Sequence, residues 1–314
     1  MPDTFVRGRP VVSLIYLLLL AASGALIFTI IGYIIGIAIY GTGIIFQSVQ
    51  VLSGESQYGL GFLKLIQIFS TIGTFIIPAL FFARLQEKRP AAYLQLSTPV
   101  NPFLVILAIA IMLFSTPILE WTVSLNKQMR LPDFMSGLER WMRMQEDQLE
   151  RLTFMLLKVN DVPNLLLNLL MIAVLPAIGE ELIFRGCLQR ILTDWTKNYH
   201  WGIWLAAAIF SAIHMQFYGF LPRMLLGALF GYLLVWSGSL WIPILAHFIN
   251  NGAAVIFAYF YTRRGESLEK LNETGYDKNI FLLLFSVVIT AFLLQLFFNK
   301  RTMINNNTDA ARLG

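Results

Sequence analysis

The chain has 314 residues, of which 57% are hydrophobic and only 13% are charged, and its mean hydropathy is +0.67. This composition is typical of proteins that cross a membrane several times and argues against a soluble globular chain. The single cysteine, Cys187, excludes an internal disulfide framework. The net charge of +5 is modest and the Lys and Arg residues are scattered, so no nucleic-acid-binding surface is predicted.

Apolar runs of about 20 residues, the length that crosses a bilayer as a helix, recur along the chain and predict about eight spans. The predicted fold class is therefore an all-α, polytopic bundle of membrane helices, with a single integral membrane domain over residues 1–298. The polar tail, residues 299–314, is predicted to be disordered. The predicted spans are Val11–Tyr40, Phe62–Phe82, Phe103–Leu125, Val162–Leu192, Trp201–Met215, Leu221–Trp236, Leu240–Tyr261 and Ile280–Phe298.

A charged stretch, residues 133–158, separates the third and fourth spans. Ser136 and Glu139 have the spacing of a capping box, in which a hydroxyl and a carboxylate bind the free backbone N–H groups at a helix start. The apolar residues that follow recur at helical spacing, which predicts an amphipathic helix at the membrane surface. We interpret this helix as an interfacial connector, with a substrate gate as the alternative.

The orientation follows from the basic residues. Arg7 and Arg9 precede an apolar run that is too long for a signal-peptide core, so we interpret this run as a retained first span. The positive-inside rule then favours a cytoplasmic membrane with both termini in the cytoplasm. Basic residues on the other side make this bias weak.

Two adjacent carboxylates and a guanidinium, those of Glu180, Glu181 and Arg185, lie at the end of a long apolar run. An ionisable side chain inside a span costs at least ~2.5–3.5 kcal/mol on insertion scales and therefore indicates a functional site. Glu181 and Arg185 are four residues apart and share a helical face, where they can pair. Glu180 points elsewhere. The alternative is a helix end where all three side chains reach water.

Two histidines lie inside later spans. Phe210 and His214 are four residues apart, so the phenyl ring can pack on the imidazole. His247 and Asn251 share a helical face at the same spacing. Together with Glu180, these groups come from three spans at overlapping depth, and they are predicted to converge in one cavity.

Such a set of side chains is suited to hydrolysis. A carboxylate beside an imidazole takes a proton from water, and a second imidazole and an amide can donate to the developing oxyanion. Alternatively, Glu180, His214 and His247 form a three-ligand set for a divalent metal such as zinc. The sequence leaves both interpretations open. Cys187 lies seven residues after Glu180, and we interpret it as a small packed residue rather than a thiol nucleophile.

The three segments together resemble the CPBP (Abi) family of intramembrane proteases, which includes the type II CAAX prenyl endopeptidases. The protease-like core would lie at about residues 162–262. The motifs that carry the resemblance stand in the family's order: Glu180-Glu181-x-x-x-Arg185, Phe210-x-x-x-His214 and His247-x-x-x-Asn251.

The resemblance implies an endopeptidase whose site opens to the membrane and the cytoplasm. It implies that Glu180 and His214 activate water. It also implies that His247 and Asn251 bind the oxyanion. The family has been described both as metalloproteases and as glutamate-dependent enzymes, so a metal stays open. The residues expected to support the site are Glu181, Arg185 and Phe210.

The predicted function is hydrolysis of a peptide bond near the membrane, in a peptide or a lipid-anchored protein, with membrane lipid as the other partner. One alternative is a non-catalytic membrane scaffold or immunity protein. Another is a proton-coupled transporter, although the internal repeats typical of transporters are absent from the sequence. Gly227 and Gly231 have a small-xxx-small spacing, which favours either close helix packing or a dimer.

Overall fold

A computed structural model describes residues 9–52, 59–268 and 279–313, and the regular structure within these ranges is entirely helical. The predicted all-α, polytopic bundle is confirmed. Short 3₁₀ turns at Asp133–Met135 and Phe217–Gly219 precede two of the helices. In chain order the helices are α1 (Pro10–Tyr40), α2 (Ile44–Leu52), α3 (Leu60–Gln86), α4 (Pro90–Tyr93), α5 (Pro102–Lys127), α6 (Ser136–Leu157), α7 (Val162–Thr196), α8 (Tyr199–Ala212), α9 (Phe220–Ser237), α10 (Trp241–Arg263) and α11 (Ile280–Leu313).

Within the described ranges, seven helices are long and apolar enough to cross a membrane, so the chain is an integral multi-pass membrane protein. These are α1, α3, α5, α7, α9 with its preceding turn, α10 and the first part of α11. The sequence analysis predicted about eight membrane spans, one more than these seven. The predicted fifth span, Trp201–Met215, corresponds to α8, which has only 14 residues. At ~1.5 Å per residue, α8 is about 21 Å long, which is shorter than the hydrocarbon core of a bilayer.

The last helix is longer than predicted. α11 continues past the apolar span as far as Leu313, whereas the sequence predicts disorder for residues 299–314. Residues 299–313 contain neither glycine nor proline, the two residues that most readily end a helix. Two other residues used in the sequence analysis, Arg7 and Gly314, lie outside the described residues.

The two largest of four buried apolar clusters form most of the interior of the described bundle. The larger cluster joins α3 and α7 through residues such as Phe82 and Phe184. The second cluster joins α5, α9, α10 and α11 and includes Phe230 and Phe297. α10 contributes to both clusters and therefore connects them.

Charged side chains mark the two ends of the bundle. At one end, the start of α1, the end of α3 and the end of α7 meet around a cavity that is lined by Arg9, Glu87, Arg190 and Lys197, among others. Lys300 of α11 lies 5.5 Å from the ring centre of Phe103 at the start of α5, so α11 reaches the same end after its span. Arg9, Arg190, Lys197 and Lys300 therefore lie at one end of the bundle. The other end of α5, at Lys127, lies beneath α6.

The amphipathic helix predicted between the third and fourth spans is α6, but its start differs from the prediction. Met135 caps the helix and no side chain accepts a capping hydrogen bond, because Ser136 already lies within the helix. Glu139 accepts the Leu131 N–H at 3.0 Å and pairs with Arg143 at 2.7 Å. The predicted capping box was therefore wrong, since the 3₁₀ turn before α6 shifts the start of the helix.

Glycines allow several helices to approach closely. A Cβ at Gly36 of α1 would lie 2.2 Å from Phe62 of α3, so only glycine allows these two helices to approach this closely. A Cβ at Gly231 of α9 would lie 2.7 Å from Gln189 of α7 and 2.8 Å from Ile203 of α8. The glycine face of α9 is thus filled from within the chain rather than offered to a second copy.

Gly231→Ala is expected to lower the free energy of unfolding by about 1–3 kcal/mol, because the added methyl group overpacks a filled interface. Thermal unfolding in detergent measures the change. The matched control is Gly43→Ala, whose new Cβ would have no neighbour within 4 Å. Equal stability of the two variants would contradict the packing argument.

Candidate active site

The carboxylate of Glu181 lies at the centre of the candidate site and is fully buried. Its Oε1 accepts a hydrogen bond from Arg185 Nη1 at 2.8 Å, which confirms the predicted pair. The same oxygen lies 2.9 Å from His247 Nδ1 on α10. Arg185 Nη2 donates to the Gly227 carbonyl of α9 at 3.0 Å. A single carboxylate therefore connects α7 to α10 directly and to α9 through Arg185.

A π-helical turn, Leu182–Leu188, follows Glu181 directly. Two further π-helical turns occur among the described residues, at Ile72–Ile76 and Leu169–Val174, so this turn does not by itself mark the site. Within it, the Arg185 guanidinium lies 4.6 Å from the Phe210 ring centre and 5.4 Å from that of Phe230. The buried cation is thus neutralised by Glu181 and surrounded by aromatic faces, which offsets the cost of removing it from water.

His247 is held from both sides of its ring. Nδ1 faces the Glu181 carboxylate, and Nε2 lies 3.2 Å from the Asn251 amide nitrogen. An acceptor at Nδ1 and a donor at Nε2 select the neutral tautomer that carries its proton on Nδ1. The Phe230 ring stacks on the imidazole at 5.2 Å. Nε2 also lies 3.9 Å from Glu180 Oε2, so His247 stands between the two carboxylates.

Both amide protons of Asn251 make hydrogen bonds to groups within the protein. In addition to its contact with His247, Nδ2 donates to the Ile172 carbonyl of α7 at 3.0 Å. Oδ1 accepts from Asn250 Nδ2 at 3.1 Å. In this arrangement Asn251 orients His247 and ties α10 to α7, and it has no spare proton for the oxyanion that the resemblance assigns to it.

His214 lies at the turn that follows α8, against the ring of Phe210. The two rings are edge to face with their centres 4.9 Å apart, which confirms the predicted packing. His214 Nδ1 lies 2.7 Å from the Phe210 carbonyl oxygen. A carbonyl can only accept, so Nδ1 carries the proton and Nε2 presents its lone pair.

Arg223 was missed by the sequence analysis. It is on the first turn of α9, where Nη2 donates to the Gln216 side chain. Nη1 is buried and has no hydrogen-bond partner within the described residues. The charge of this arginine acts on both Glu180 and His214. The available signal was a cation at the third residue of a predicted apolar span.

The three predicted metal ligands do not form a metal site as they are placed. Across the residues that the structure describes, no three His, Cys, Asp or Glu side chains are grouped so that they could hold a metal ion. Both ring nitrogens of His247 are engaged, by Glu181 and by Asn251. Coordination through His247 would break one of these contacts. Glu180, His214 and His247 therefore do not fit a zinc ion in this arrangement, and no step below depends on one.

Cys187 lies away from the polar centre, in the apolar core between α7 and α3. It is fully buried, and its Sγ lies 3.9 Å from the Ala79 carbonyl oxygen. This placement confirms its interpretation as a packed residue.

A polar cavity of about 530 Å³ lies under α6, at the end of the bundle opposite the termini. Gln216 and Tyr218 come shortly after His214 in the chain, so the cavity borders the turn that carries the candidate catalytic histidine. It is lined by Lys127, Arg143, Glu146, Asp147, Glu150, Thr153, Phe154, Gln216 and Tyr218.

Tyr218 fastens α6 to the same turn. Its backbone N–H donates to Glu146 at 2.9 Å, and its hydroxyl donates to Glu139 at 3.3 Å. The Arg143 guanidinium lies 4.2 Å from the centre of its ring. The predicted interfacial helix thus covers the cavity and is bound to the turn beyond His214.

The fold and the site define a multi-pass membrane protein with a buried carboxylate–histidine centre. Residues 162–253, from the start of α7 into α10, match the family model described as type II CAAX prenyl endopeptidase Rce1-like. This segment contains all the candidate site residues named from the sequence. The resemblance to the CPBP family is confirmed over this segment.

Two curated relatives match part of the chain. An uncharacterized protein of Bacillus subtilis (strain 168), YpbD, is 33% identical over 86 residues, which are 26% of this chain and 41% of that protein. An uncharacterized 24.3 kDa protein of Escherichia coli is 30% identical over 103 residues, or 31% of this chain and 46% of that protein. The matches thus span less than half the length of either relative. No solved structure matches the chain.

Glu181→Gln is expected to lower the free energy of unfolding by about 3–5 kcal/mol, because it leaves the buried charge of Arg185 without its counter-ion. Arg143→Gln breaks a pair whose arginine side chain is 42% exposed, so water screens the charges and the loss of stability should be far smaller. Thermal or denaturant unfolding in detergent compares the two. If both variants lose a similar amount of unfolding free energy, the buried Glu181–Arg185 pair does not stabilise the fold more than the exposed pair does.

The contacts that Glu139 makes at the start of α6, including its hydrogen bond from Tyr218, should weaken in acid. The hydrogen bonds from Arg143 and from the Leu131 N–H hold the pKa of Glu139 below its ordinary value of 4.5. The stabilisation is complete above that ordinary value and is lost as the pH falls through the lowered pKa. The protection factors of the α6 amides, which are corrected for the pH dependence of intrinsic exchange, are therefore expected to fall below pH 4.5.

Glu139→Gln is the control for this acid response. It lacks the titrating group, so the protection factors of its α6 amides should already be lower at neutral pH and should change little on acidification. Glu146, whose pKa burial raises, titrates in the opposite sense, because its protonation removes a charge that is costly to bury. The same acid response in wild type and Glu139→Gln would assign the effect to another group.

Proposed function

We propose that the chain is an intramembrane endopeptidase that hydrolyses a peptide bond near the membrane. The observation that carries the proposal is the meeting of Glu180 and His247, from separate spans, with Oε2 and Nε2 3.9 Å apart. The match of residues 162–253 to a prenyl endopeptidase family supports the same class of reaction.

In the proposed reaction, Glu180 takes a proton from a water molecule, and the water oxygen adds to the carbonyl carbon of the peptide bond. His214 accepts a hydrogen bond from the water through Nε2 and orients it. When the C–N bond breaks, Glu180 returns the proton to the leaving amine. Glu181 and Asn251 hold the His247 ring in place beside the reacting carbonyl, so their role is to position rather than to react.

The proposed substrate is a peptide or a lipid-anchored protein held against the bilayer, and a prenylated protein is one candidate. We place the protein in the cytoplasmic membrane with both termini in the cytoplasm. Because the termini and the cavity under α6 lie at opposite ends, this orientation points the cavity away from the cytoplasm. The resemblance implied a site open to the cytoplasm, so the two expectations exclude each other. Impermeant thiol labelling of single cysteines introduced at each end decides between them.

Glu180→Gln is expected to lower cleavage by at least about 10²-fold, the lower end of what a general base contributes. The assay is cleavage of a library of peptides and prenyl-peptides by protein purified in detergent. The matched control is Glu87→Gln, an acid at the opposite end of the bundle, which should cleave like the wild type.

Two further arms make the experiment decisive. Full cleavage by both Glu180→Gln and His214→Ala would contradict the proposal. A chelator arm tests the metal separately, since loss of wild-type activity on chelation would require a rearranged His247. If well-folded wild type gives no product from the library, the result favours the non-catalytic scaffold.

A further inference from the structure

The contacts between α7 and α9 fix the register of these two helices. Arg185 donates to the Gly227 carbonyl at 3.0 Å. One turn later, the Gln189 amide donates to the Gly231 carbonyl at 3.4 Å. Equal steps of four residues in the same direction mean that α7 and α9 run parallel here. One turn earlier than these contacts, α7 carries Glu181, preceded by Glu180, and α9 carries Arg223.

α8 brings His214 to the same level of the bundle. The Phe210 ring packs against the Arg185 guanidinium, with 4.6 Å from ring centre to Cζ. His214 lies four residues further on, in the turn that follows α8, and contacts Phe210. α8 runs from the end that carries the termini towards the cavity, opposite to α9, so His214 lies level with the first turn of α9. Glu180, His214 and Arg223 therefore form one layer.

Arg223 presents a hydrogen-bond donor, Nη1, that is not bound by any of the described residues in this layer. Its Nη2 is bound to Gln216, whereas Nη1 is buried and without a partner among the described residues. An unmet buried donor is costly, so it is expected to find an acceptor when the site is occupied. Gln216 lines the cavity under α6. The guanidinium that it binds therefore lies between this cavity and the layer that contains Glu180 and His214.

The side chains that the resemblance assigns to the oxyanion have no such spare donor. The Nδ1 proton of His247 faces Glu181, and both Asn251 amide protons face acceptors inside the protein. An oxyanion in this layer needs a donor that is already in place, because preorganised donors give the largest share of such stabilisation.

We propose that the Arg223 guanidinium binds the carbonyl oxygen of the scissile peptide bond and stabilises the negative charge that forms on it. This inference rests on the proposed peptidase function. As water adds to the carbonyl carbon and gives its proton to Glu180, the C=O π pair moves onto the oxygen, where Nη1 donates. When that pair returns, the C–N bond breaks and the amine leaves with the proton from Glu180.

The geometry favours a carbonyl oxygen over a free carboxylate as the partner of Arg223. A carboxylate is bound best by two parallel N–H groups of one guanidinium. Here one of the terminal nitrogens is held by Gln216, which leaves Nη1 to make a single contact. The charge of Arg223 also acts on Glu146 and Glu180, so the experiment must separate catalysis from charge balance.

Arg223→Gln is expected to lower kcat by about 10²–10³-fold, as removal of one oxyanion donor does, with little change in KM. A phosphinic peptide, whose tetrahedral anionic centre mimics the intermediate, should bind more weakly by a similar factor. Binding of the intact peptide, measured in the Glu180→Gln background, should change little. Arg223→Lys should recover part of the rate, because it keeps the charge but not the planar donor geometry.

Arg190→Gln serves as the matched control, since this arginine also donates to a backbone carbonyl and covers an aromatic ring, but at the opposite end of the bundle. Its kcat should equal that of wild type. Arg223→Ala with added guanidinium gives a second test, in which restored turnover identifies the missing donor independently of folding. Unfolding in detergent monitors each variant.

The outcomes separate the two proposals. A folded wild type without cleavage overturns the peptidase function and this inference together. An active wild type with an unchanged kcat in Arg223→Gln overturns this inference alone. Equal weakening of intact-peptide and phosphinic-peptide binding would make Arg223 a structural cation and would also overturn the inference.

Discussion

The arrangement of this bundle depends on a carboxylate that is kept out of water. Glu181 has no exposed surface, so its charge must be met by fixed partners within the protein. Arg185 meets it from the same helix and His247 meets it from α10. Because Arg185 also binds the Gly227 carbonyl, this one charge fixes the relative positions of α7, α9 and α10.

Close packing around this charge follows from the same constraint. The carbonyl groups of α9 are within reach of Arg185 and Gln189 only because Gly227 and Gly231 bring no side chain to the interface. The π-helical turn after Glu181 lies within the same contact region. Aromatic rings from α8 and α9 fill the remaining space around the guanidinium. The buried ion pair thus depends on small residues, because they let the helices approach closely enough for its hydrogen bonds to form.

The proposed reaction takes place in the layer of Glu180, His214 and Arg223, on the side of Glu181 that faces the cavity. Arg223 Nη1, which has no partner in the described part of the chain, and the imidazole of His214 lie beside the turn that α6 covers through Tyr218. The cavity there contains charged residues, unlike the apolar surface that the spans present to lipid. Under the proposed function, a polar peptide segment enters from this end while an attached lipid stays in the bilayer.

Much of this arrangement could be predicted from the sequence, because the evidence lies within single helices. Apolar length identified the spans, and a spacing of four residues identified both Glu181–Arg185 and Phe210–His214. Other features appear only when helices pack together. The engagement of the Asn251 amide by α7 and the level of Arg223 relative to Glu180 depend on contacts between helices.

By itself, then, the sequence determined the all-α membrane fold, the amphipathic α6 and the polar residues from which a site is built. Only the tertiary structure decided that His247 binds Glu181, that the glycine face of α9 is filled from within the chain, and that the cavity lies opposite the termini. The physical reason is that periodicity describes the faces of one helix at a time. Which faces meet, and at what height, is set by side-chain packing between helices distant in the sequence.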